Sequence, residues 1–361
     1  MLLNESRARA VMARYDIDAL VTLSPFNSYY LSGFWSKAMA ARWDTFFGAV
    51  LTQDGADGCM VVPVMELANR DAITKRFNHV VGYPTSEAVD LIQAFTEALK
   101  GVGLRKGRVA AGDARLPLWL GDMDGLSCVY NPNIIKEIRL IKTEAEIALM
   151  RTAARNNETA CRNAADQTQA GMTGEDIERL FKAECGRLGN DATYLVTAMT
   201  DLPTGVVVKG EPVMFDALSQ YRNYHGDFGR TVVVGEPDPL LLRRAEALEA
   251  GWRAALDILR PGLSMKALES HVIEAVRDHG FPEYFMISAH NVGLQHTDDP
   301  VVIGLPHPFK QDRALECGMV INVDMPHDEA GWGSIHREDT VLITANGYEP
   351  LTQTDATLIV V

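Results

Sequence analysis

A repeated pair of acidic strands in the second half of the sequence constrains the fold more than any other feature. One copy reads VMFD…HGDFGRTVVVGE and the other reads VINVD…HREDTVLITANG. In each copy an apolar strand ends in Asp, a polar connection follows, and a second strand opens with an acid and continues with apolar residues. This pattern predicts one β-hairpin per copy, with an acid on each side of its connection.

The acids of the two predicted hairpins are expected to converge. Asp216 and Asp227 flank the first connection, and Asp324 and Glu338 flank the second. Facing residues on paired strands lie about 4.5–5.5 Å apart at Cβ, so each hairpin can bring two carboxylates together. Because like charges at such distances repel and raise each other's pKa, the cluster predicts cations between the carboxylates.

Histidines accompany these acids. The segment AHNVGLQHTDDP lies between the two hairpins and contains His290 and His296. An imidazole there adds a nitrogen ligand, and carboxylates with imidazole suit divalent ions. His225 and His336 each stand two residues before an acid. Since residues i and i+2 of a strand share a face, both imidazoles are expected in the same pocket.

The 361 residues are enough for two domains. Residues 1–140 alternate strand-like and helical patterns, which predicts an α/β domain, and residues 141–361 form the second predicted domain. The second domain is expected to place amphipathic helices over one face of its sheet. These helices are predicted after Thr143, from Thr173, over Pro239–Leu259 and over Ser264–His279.

The amino-acid composition limits the classes of partner that this protein is expected to bind. The formal net charge is −14, which argues against nucleic acid and anionic membrane, because phosphate binding needs a basic face. No stretch approaches the roughly 20 apolar residues that a membrane span needs, and the N-terminus lacks a signal-peptide pattern. The five cysteines include no C-x-x-C pair, which predicts reduced thiols and a cytoplasmic protein.

The order of these motifs resembles the pita-bread metallohydrolases, the group of methionine aminopeptidase, aminopeptidase P, prolidase and creatinase. Asp216 and the run Asp227-Phe-Gly-Arg-Thr231 are similar to the first motif of the family. Ala289-His290-Asn-Val-Gly293 is similar to its G-H-x-x-G motif, and Glu338-Asp339-Thr340 to its last motif. The segments DALVTLSPFNSYYLSGF and RLIKTEAEIALMRTA resemble the creatinase and prolidase N-terminal domain and its junction, so the resemblance covers the whole chain.

The resemblance implies an α+β fold, with a creatinase-like N-terminal α/β domain followed by a pita-bread domain. The latter is a curved antiparallel sheet with pseudo-two-fold repeat and helices on its convex face. It also implies a homodimer and a site with two divalent ions (Mn, Zn, Co or Fe), in which a bridging hydroxide attacks an amide carbonyl. The implied ligands are Asp216, Asp227, His290, Asp324 and Glu338, and the candidate catalytic residues are His296, His225 and His336.

The sequence departs from the family pattern at four places. Asp324 stands where the family has Glu, a loss of reach of about 1.5 Å that predicts a contracted site or one ion instead of two. His290 and His296 are one residue closer than in the family. The substrate-binding histidine upstream of the first Asp is missing from TAMTDLPTGVVVKGEPVMFD, and Leu218 replaces a glycine that usually follows the first Asp.

Three functions fit these observations. The leading hypothesis is a metal-dependent hydrolase of small amides or peptides, of the Xaa-Pro dipeptidase or aminopeptidase type. The alternative is a creatinase-like, metal-independent C–N hydrolase or lyase acting on a small non-peptide compound, which the missing upstream histidine and the added His225 and His336 would suit. A metal-free binding module is the third, and the retained ligand positions argue against it.

Overall fold

The computed structural model describes residues 1–40, 46–55, 57–85, 88–121, 123, 125–197, 205–302, 311–329 and 332–361. It divides into two compact units. The first unit comprises Met1–Thr143 with Pro300–Gln311, and the second comprises Glu144–Asp299 with Asp312–Val361. Because the first unit also takes in Pro300–Gln311, a division into two continuous domains at residue 140 stays a prediction.

The first unit is a mixed six-stranded sheet with helices. Its strand order is β4-β3-β2-β1-β5-β6, with β1–β2 and β2–β3 antiparallel and the other pairs parallel. A buried apolar cluster joins this sheet to the helix Ala88–Gly101. The elements are α1 Glu5–Arg14, β1 Ala19–Thr22, α2 Pro25–Ser32, α3 Lys37–Ala40, β2 Gly48–Thr52, β3 Gly58–Pro63, a 3₁₀ turn Val64–Asn69, α4 Arg70–Ile73, β4 His79–Tyr83, α5 Ala88–Gly101, β5 Gly107–Ala111, α6 Arg115–Leu120, β6 Leu126–Tyr130 and α7 Ile134–Arg139.

The second unit is an eight-stranded sheet with four helices. Its main strand order is β10-β11-β12-β9-β8-β7, with β13 beside β12 and β14 beside β9. All these pairs are antiparallel except β14–β9, which is parallel. The elements are α8 Glu144–Asp166, α9 Gly174–Leu188, β7 Asp191–Val196, β8 Pro212–Tyr221, β9 Tyr224–Val233, α10 Pro239–Ile258, α11 Met265–Asp278, β10 Ser288–Asn291, β11 Val320–Glu329, β12 Gly333–Thr344, β13 Gly347–Pro350 and β14 Leu358–Val360.

Both predicted hairpins are present, β8–β9 and β11–β12, and the predicted α+β fold class is confirmed. The expectation that an acid opens the second strand of each hairpin was wrong, because the strands begin earlier, at Tyr224 and Gly333. In the first hairpin a tight two-residue turn explains this. Arg222 and Asn223 have φ of 49° and 70°, the left-handed geometry of a type I′ turn, so strand pairing continues to the turn itself.

The helices of the second unit cover one face of its sheet, as predicted. Phe215, Ala217 and Phe228 on β8 and β9 are fully buried against α8 and α9. Since side chains alternate along a strand, the residues between them, which include Asp216 and Asp227, lie on the opposite face. In the part of the chain that the structure describes, no helix combines the length and apolar character that crossing a bilayer requires.

Helix α8 packs closely on β9 at Gly226, on the helix-covered face beside Asp227. A Cβ added to Gly226 would lie 2.3 Å from the backbone oxygen of Ala153, so only glycine fits there. We therefore expect Gly226→Ala to lower the free energy of unfolding by about 1–3 kcal/mol, because backbone atoms must move to admit the methyl group. Urea unfolding followed by circular dichroism measures this change.

The matched control is Gly186→Ala, inside the exposed face of α9, where an added Cβ meets no atom within 4 Å among the described residues. It should raise stability by roughly 0.5–1 kcal/mol, since alanine costs less conformational entropy in a helix. Equal stability of the Gly226→Ala and wild-type proteins would contradict the close packing of α8 on β9.

Candidate metal centre

One row of directly paired residues crosses four strands and carries three of the predicted acids. Asp216 on β8 pairs with Gly229 on β9, Gly229 pairs with Glu338 on β12, and Glu338 pairs with Asp324 on β11. Directly paired residues point to the same face of a sheet. The register therefore places these three carboxylates on the face opposite to the helices, with Gly229 as a gap in the middle of the row.

The remaining predicted residues join this face through the two-residue period of the strands. Asp227 precedes Gly229 by two positions, and His336 precedes Glu338 by two. His290 pairs with Asn322, which stands two residues before Asp324. The sequence implied that Asp216 and Asp227 face each other, but the structure offsets them: Asp227 pairs with Leu218, so its carboxylate is a diagonal neighbour of Asp216.

Four of the predicted residues form a compact group of metal-ligand type. The ligand atoms of Asp227, His290, His296 and Glu338 all lie within 4.8 Å of one another. Nε2 of His296 is 3.1 Å from Oδ2 of Asp227, and Nε2 of His290 is 3.6 Å from the same oxygen and 4.0 Å from Oε1 of Glu338. His296 therefore reaches the cluster in spite of its shortened spacing from His290.

The burial of this group fits a cation. Asp227 is 0% exposed and Glu338 is 2% exposed. Both carboxylate oxygens of Asp227 and Oε2 of Glu338 are buried, and none accepts a well-formed hydrogen bond from the described residues; the contact of Asp227 with His296 is an ion pair. Buried carboxylates without hydrogen bonds are costly unless a cation neutralises them. Carboxylate oxygens with imidazole nitrogens are a donor set that divalent ions accept.

The pKa values of groups on this acidic face also indicate that positive charge is favoured there. Burial, and then the neighbouring carboxylates Asp227 and Asp324, raise the pKa of Asp216 to about 6, although His336 opposes the shift. Burial and the same neighbours raise the pKa of Glu338 well above its ordinary value. Burial alone would lower the pKa of His296, but the carboxylates of Asp227, Asp216 and Asp324 together outweigh it and the net shift is upward.

Two further histidines on the face have different surroundings. Nε2 of His336 lies 2.8 Å from Oδ1 of Asp324, and the side chain is 3% exposed. His225 has partners at both ring nitrogens, Gly293 O at 3.0 Å and Gln220 Nε2 at 2.8 Å. Burial lowers the pKa of His225, so the neutral ring holds the loop that follows His290. A catalytic part for His225 stays a prediction, and its contacts favour a structural one.

The helix-covered face fixes the junction between the two hairpins. Gly229–Glu338 is the backbone pair that joins β9 to β12. Arg230 is fully buried there and donates to the carbonyl oxygen of Glu338 at 2.9 Å and to Oδ1 of Asp339 at 2.7 Å. On the same junction, Thr340 Oγ1 donates to the carbonyl oxygen of Asp227 at 2.8 Å. These bonds hold the strand segments that carry Asp227 and Glu338 in register.

Sequence reasoning missed Tyr194 on β7. The register of β7 with β8 shifts between Ala192 and Tyr194, so Thr193 is an extra, bulged residue. The bulge pairs Tyr194 with Leu218 and so turns the phenol onto the acidic face. Burial, and then the carboxylates of the cluster, raise the pKa of Tyr194, so its hydroxyl stays a hydrogen-bond donor. No sequence motif marks this residue, because the bulge alone decides which face it occupies.

A second acidic group in the unit is neutralised by the protein itself. Glu283, His327 and Glu329 offer ligand atoms within 4.8 Å of one another. The buried guanidinium of Arg244 lies in this group, 2.9 Å from Nε2 of His327 and ion-paired with Glu329, and it stacks over Trp332. Because an arginine supplies the positive charge there, this group is a weaker candidate for a cation.

Comparisons with known proteins agree with this geometry. The family model described as metallopeptidase family M24 matches residues 148–345, and the creatinase/prolidase N-terminal domain matches residues 6–122. The Xaa-Pro dipeptidase of Pyrococcus furiosus is 29% identical over 63% of this chain and 67% of its own length. The Xaa-Pro dipeptidase of Pyrococcus horikoshii is 25% identical over 99% of both chains.

Solved structures share the fold. A dipeptidase from Pyrococcus horikoshii superposes with a TM-score of 0.81 at 19% identity, over 99% of both chains. An Xaa-Pro dipeptidase from Bacillus anthracis also gives 0.81, at 18% identity over 99% of both chains. At this identity the likeness establishes the fold alone.

The charged face predicts how stability of the metal-free protein depends on pH. An acid whose pKa is higher in the folded than in the unfolded state holds a proton that unfolding releases, so it destabilises the fold as pH rises. Asp216 and Glu338 act in this way, and the raised pKa values of His296 and His336 act in the same direction. The lowered pKa values of Asp227 and His225 act against these four groups. We expect the unfolding free energy of chelator-treated protein to fall as pH rises from about 4 through 6 and above.

Urea unfolding at several pH values, with and without a divalent cation, tests this expectation. Asp216→Asn should flatten the fall in the metal-free protein, because the amide does not ionise. Saturating cation should flatten it in the wild type, because bound metal neutralises the carboxylates. A metal-free wild type that gains stability over this range would contradict the electrostatic picture.

Proposed function

The chain belongs to metallopeptidase family M24, and from this membership we propose that it is a metal-dependent dipeptidase that cleaves Xaa-Pro dipeptides. The observation that carries the proposal is the compact group of Asp227, His290, His296 and Glu338, whose buried carboxylate oxygens call for a cation. Two relatives that align with 63% and 99% of this chain are Xaa-Pro dipeptidases, which supports the substrate class.

Two divalent ions per chain, of Mn, Zn, Co or Fe, are part of this proposal. Asp227, His290 and Glu338 would hold one, and Asp216 with Asp227 and Glu338 would hold the other. When bound, divalent ions would supply an activated water and polarise the carbonyl of the scissile bond. The carboxylates, which repel one another without a cation, would form a cation-binding site in this arrangement.

Side chains of the protein itself would bind the substrate and transfer protons. The side chain of His296 is 38% exposed, whereas Asp227 beside it is fully buried, so the imidazole is the group of the cluster that opens toward solvent. We assign it the transfer of a proton to the departing amine. The hydroxyl of Tyr194 would donate a hydrogen bond to a substrate oxygen, since burial and the surrounding acids raise its pKa and keep it protonated. Leu218, buried beside Asp227, forms an apolar wall that suits a small substrate.

The creatinase-like alternative, a metal-independent C–N hydrolase or lyase, is not favoured by the relatives or by the ligand set. The segment in which the substrate-binding histidine would stand, residues 197–216, contains no histidine, and its residues 198–204 lie outside the described residues. A homodimer and a cytoplasmic location remain proposals that rest on the resemblance and on cysteine usage.

The first test of the function is hydrolysis of a panel of Xaa-Pro dipeptides, with small guanidino and sulfonium compounds alongside. Wild-type protein should release proline, and excess chelator should abolish this activity and lower the melting temperature, because bound metal stabilises the folded state by mass action. Asp227→Asn should reduce turnover to the background of the assay, since its carboxylate is central to the ligand group.

The control is Asp257→Asn, an exposed acid on α10, which should keep wild-type activity. Chelator-treated protein that keeps turning over a guanidino or sulfonium compound, and cleaves no Xaa-Pro dipeptide, would overturn the peptidase proposal in favour of the creatinase-like one.

The proposed homodimer is tested by measuring the mass of the protein in solution. Light scattering coupled to size-exclusion chromatography at micromolar concentration should give twice the chain mass of 39.7 kDa. A single species at the chain mass, unchanged on raising the concentration tenfold, would contradict the dimer.

A further inference from the structure

His336 is the most unusual member of the acidic face. Its side chain is 3% exposed, and it lies between carboxylates, with Nε2 at 2.8 Å from Oδ1 of Asp324 and 4.0 Å from Oε2 of Glu338. Its other ring nitrogen, Nδ1, is buried and has no hydrogen-bond partner among the described residues. A buried imidazole nitrogen without a partner is costly, so a ligand at Nδ1 is expected.

Gly229, which lies between Asp216 and Glu338 in the row of paired residues, shows where Nδ1 of His336 points. A Cβ added to Gly229 would lie 2.5 Å from Cε1 and 2.6 Å from Nδ1 of His336, so this edge of the ring lies directly over the glycine. Gly229 pairs with Glu338 on one side and with Asp216 on the other. The unpartnered nitrogen therefore lies over the space that Asp216 and Glu338 flank, and only the lack of a side chain at Gly229 leaves that space open.

The hydrogen bond between His336 and Asp324 is of a kind that commonly accompanies metal-binding histidines. A histidine that binds a metal through one ring nitrogen almost always donates the N–H of the other to a carboxylate or carbonyl, which fixes the tautomer and the ring orientation. Donation from Nε2 to Asp324 leaves the lone pair on Nδ1. The pair Asp324–His336 thus has the arrangement of a carboxylate that orients a metal-binding histidine.

We propose that His336 binds a cation through Nδ1, together with Asp216 and Glu338, and that Asp324 orients His336 instead of binding that cation itself. The inference rests on the proposed function and specifies the second of its two ions. It accounts for the shorter acid at position 324, because the imidazole of His336 supplies the reach that the lost methylene removed.

The chemistry of the site follows from this assignment. Each of the two cation positions would have an imidazole ligand, His290 at one and His336 at the other. Nitrogen donors favour Zn²⁺, Co²⁺ and Fe²⁺ over Mg²⁺ and Mn²⁺ compared with an all-oxygen site. The second position is therefore expected to bind Co²⁺ more tightly than Mn²⁺.

Cobalt binding tests the proposal without any substrate. Chelator-treated protein is titrated with Co²⁺, and bound metal is measured by elemental analysis after desalting and by its visible absorption. Wild type should bind two Co²⁺ per chain, and His336→Phe should bind one. Asp324→Asn should still bind two but weaken the second about 10- to 100-fold, the usual cost of losing an orienting partner. His271→Gln, at an exposed position on α11, is the control and should bind two.

Each other outcome counts against the proposal. One Co²⁺ per wild-type chain at saturation would overturn it and would indicate that the imidazolium of His336 itself neutralises the acids. Two Co²⁺ in His336→Phe with unchanged affinities would overturn it as well. If His336→Phe does not fold, unchanged cobalt affinity in Asp324→Asn decides against the orienting role. Because the readout is binding, a protein that binds two Co²⁺ as proposed but cleaves no dipeptide refutes only the proposed function.

Discussion

Mutual repulsion among buried carboxylates is the constraint on which the rest of this structure depends. Asp227 and Glu338 are almost completely buried, and Asp216 and Asp324 lie beside them on the same face of one sheet. Such a group is unstable in the ionised state unless positive charge is placed within it. The protein supplies part of that charge as imidazole, and the remaining deficit is the reason we propose a cation site on this face.

The fold is built to hold this unfavourable group together. The two hairpins meet at the pair Gly229–Glu338, and Arg230 secures that junction from the helix-covered face. Two glycines help to hold this group, each on a different face of β9. Gly226 lets the backbone of α8 approach β9, which fixes the strand that carries Asp227, whereas Gly229 leaves room for the ring of His336 on the other face. Packing energy from the helix-covered face thus offsets the electrostatic cost of the acidic one.

The sequence predicted the parts of this arrangement that depend on short-range pattern. Alternation of apolar and polar residues revealed the two hairpins, and the order of the acids with His290 led to the family, which the comparisons confirm. The two-residue period also placed His336 on the same face as Glu338.

What the sequence did not reveal depends on the exact pairing register between neighbouring strands. The offset of Asp216 from Asp227 follows from a turn at Arg222 and Asn223 that is two residues long, which moves the ladder relative to the acids. Tyr194 lies on the acidic face because of a β-bulge in β7, and no residue type in the sequence predicts that bulge. These features need the register of the sheet, which one sequence does not specify.

The central claim, that the acidic face of the second unit binds divalent cations, is tested most directly by anomalous X-ray diffraction from crystals grown with Zn²⁺ or Co²⁺. Data collected on the two sides of the metal absorption edge should give an anomalous peak at about 2.0–2.2 Å from carboxylate oxygens of Asp227 and Glu338. Crystals saturated with metal that show no anomalous peak on this face, or a peak only among Glu283, His327 and Glu329, would contradict the account.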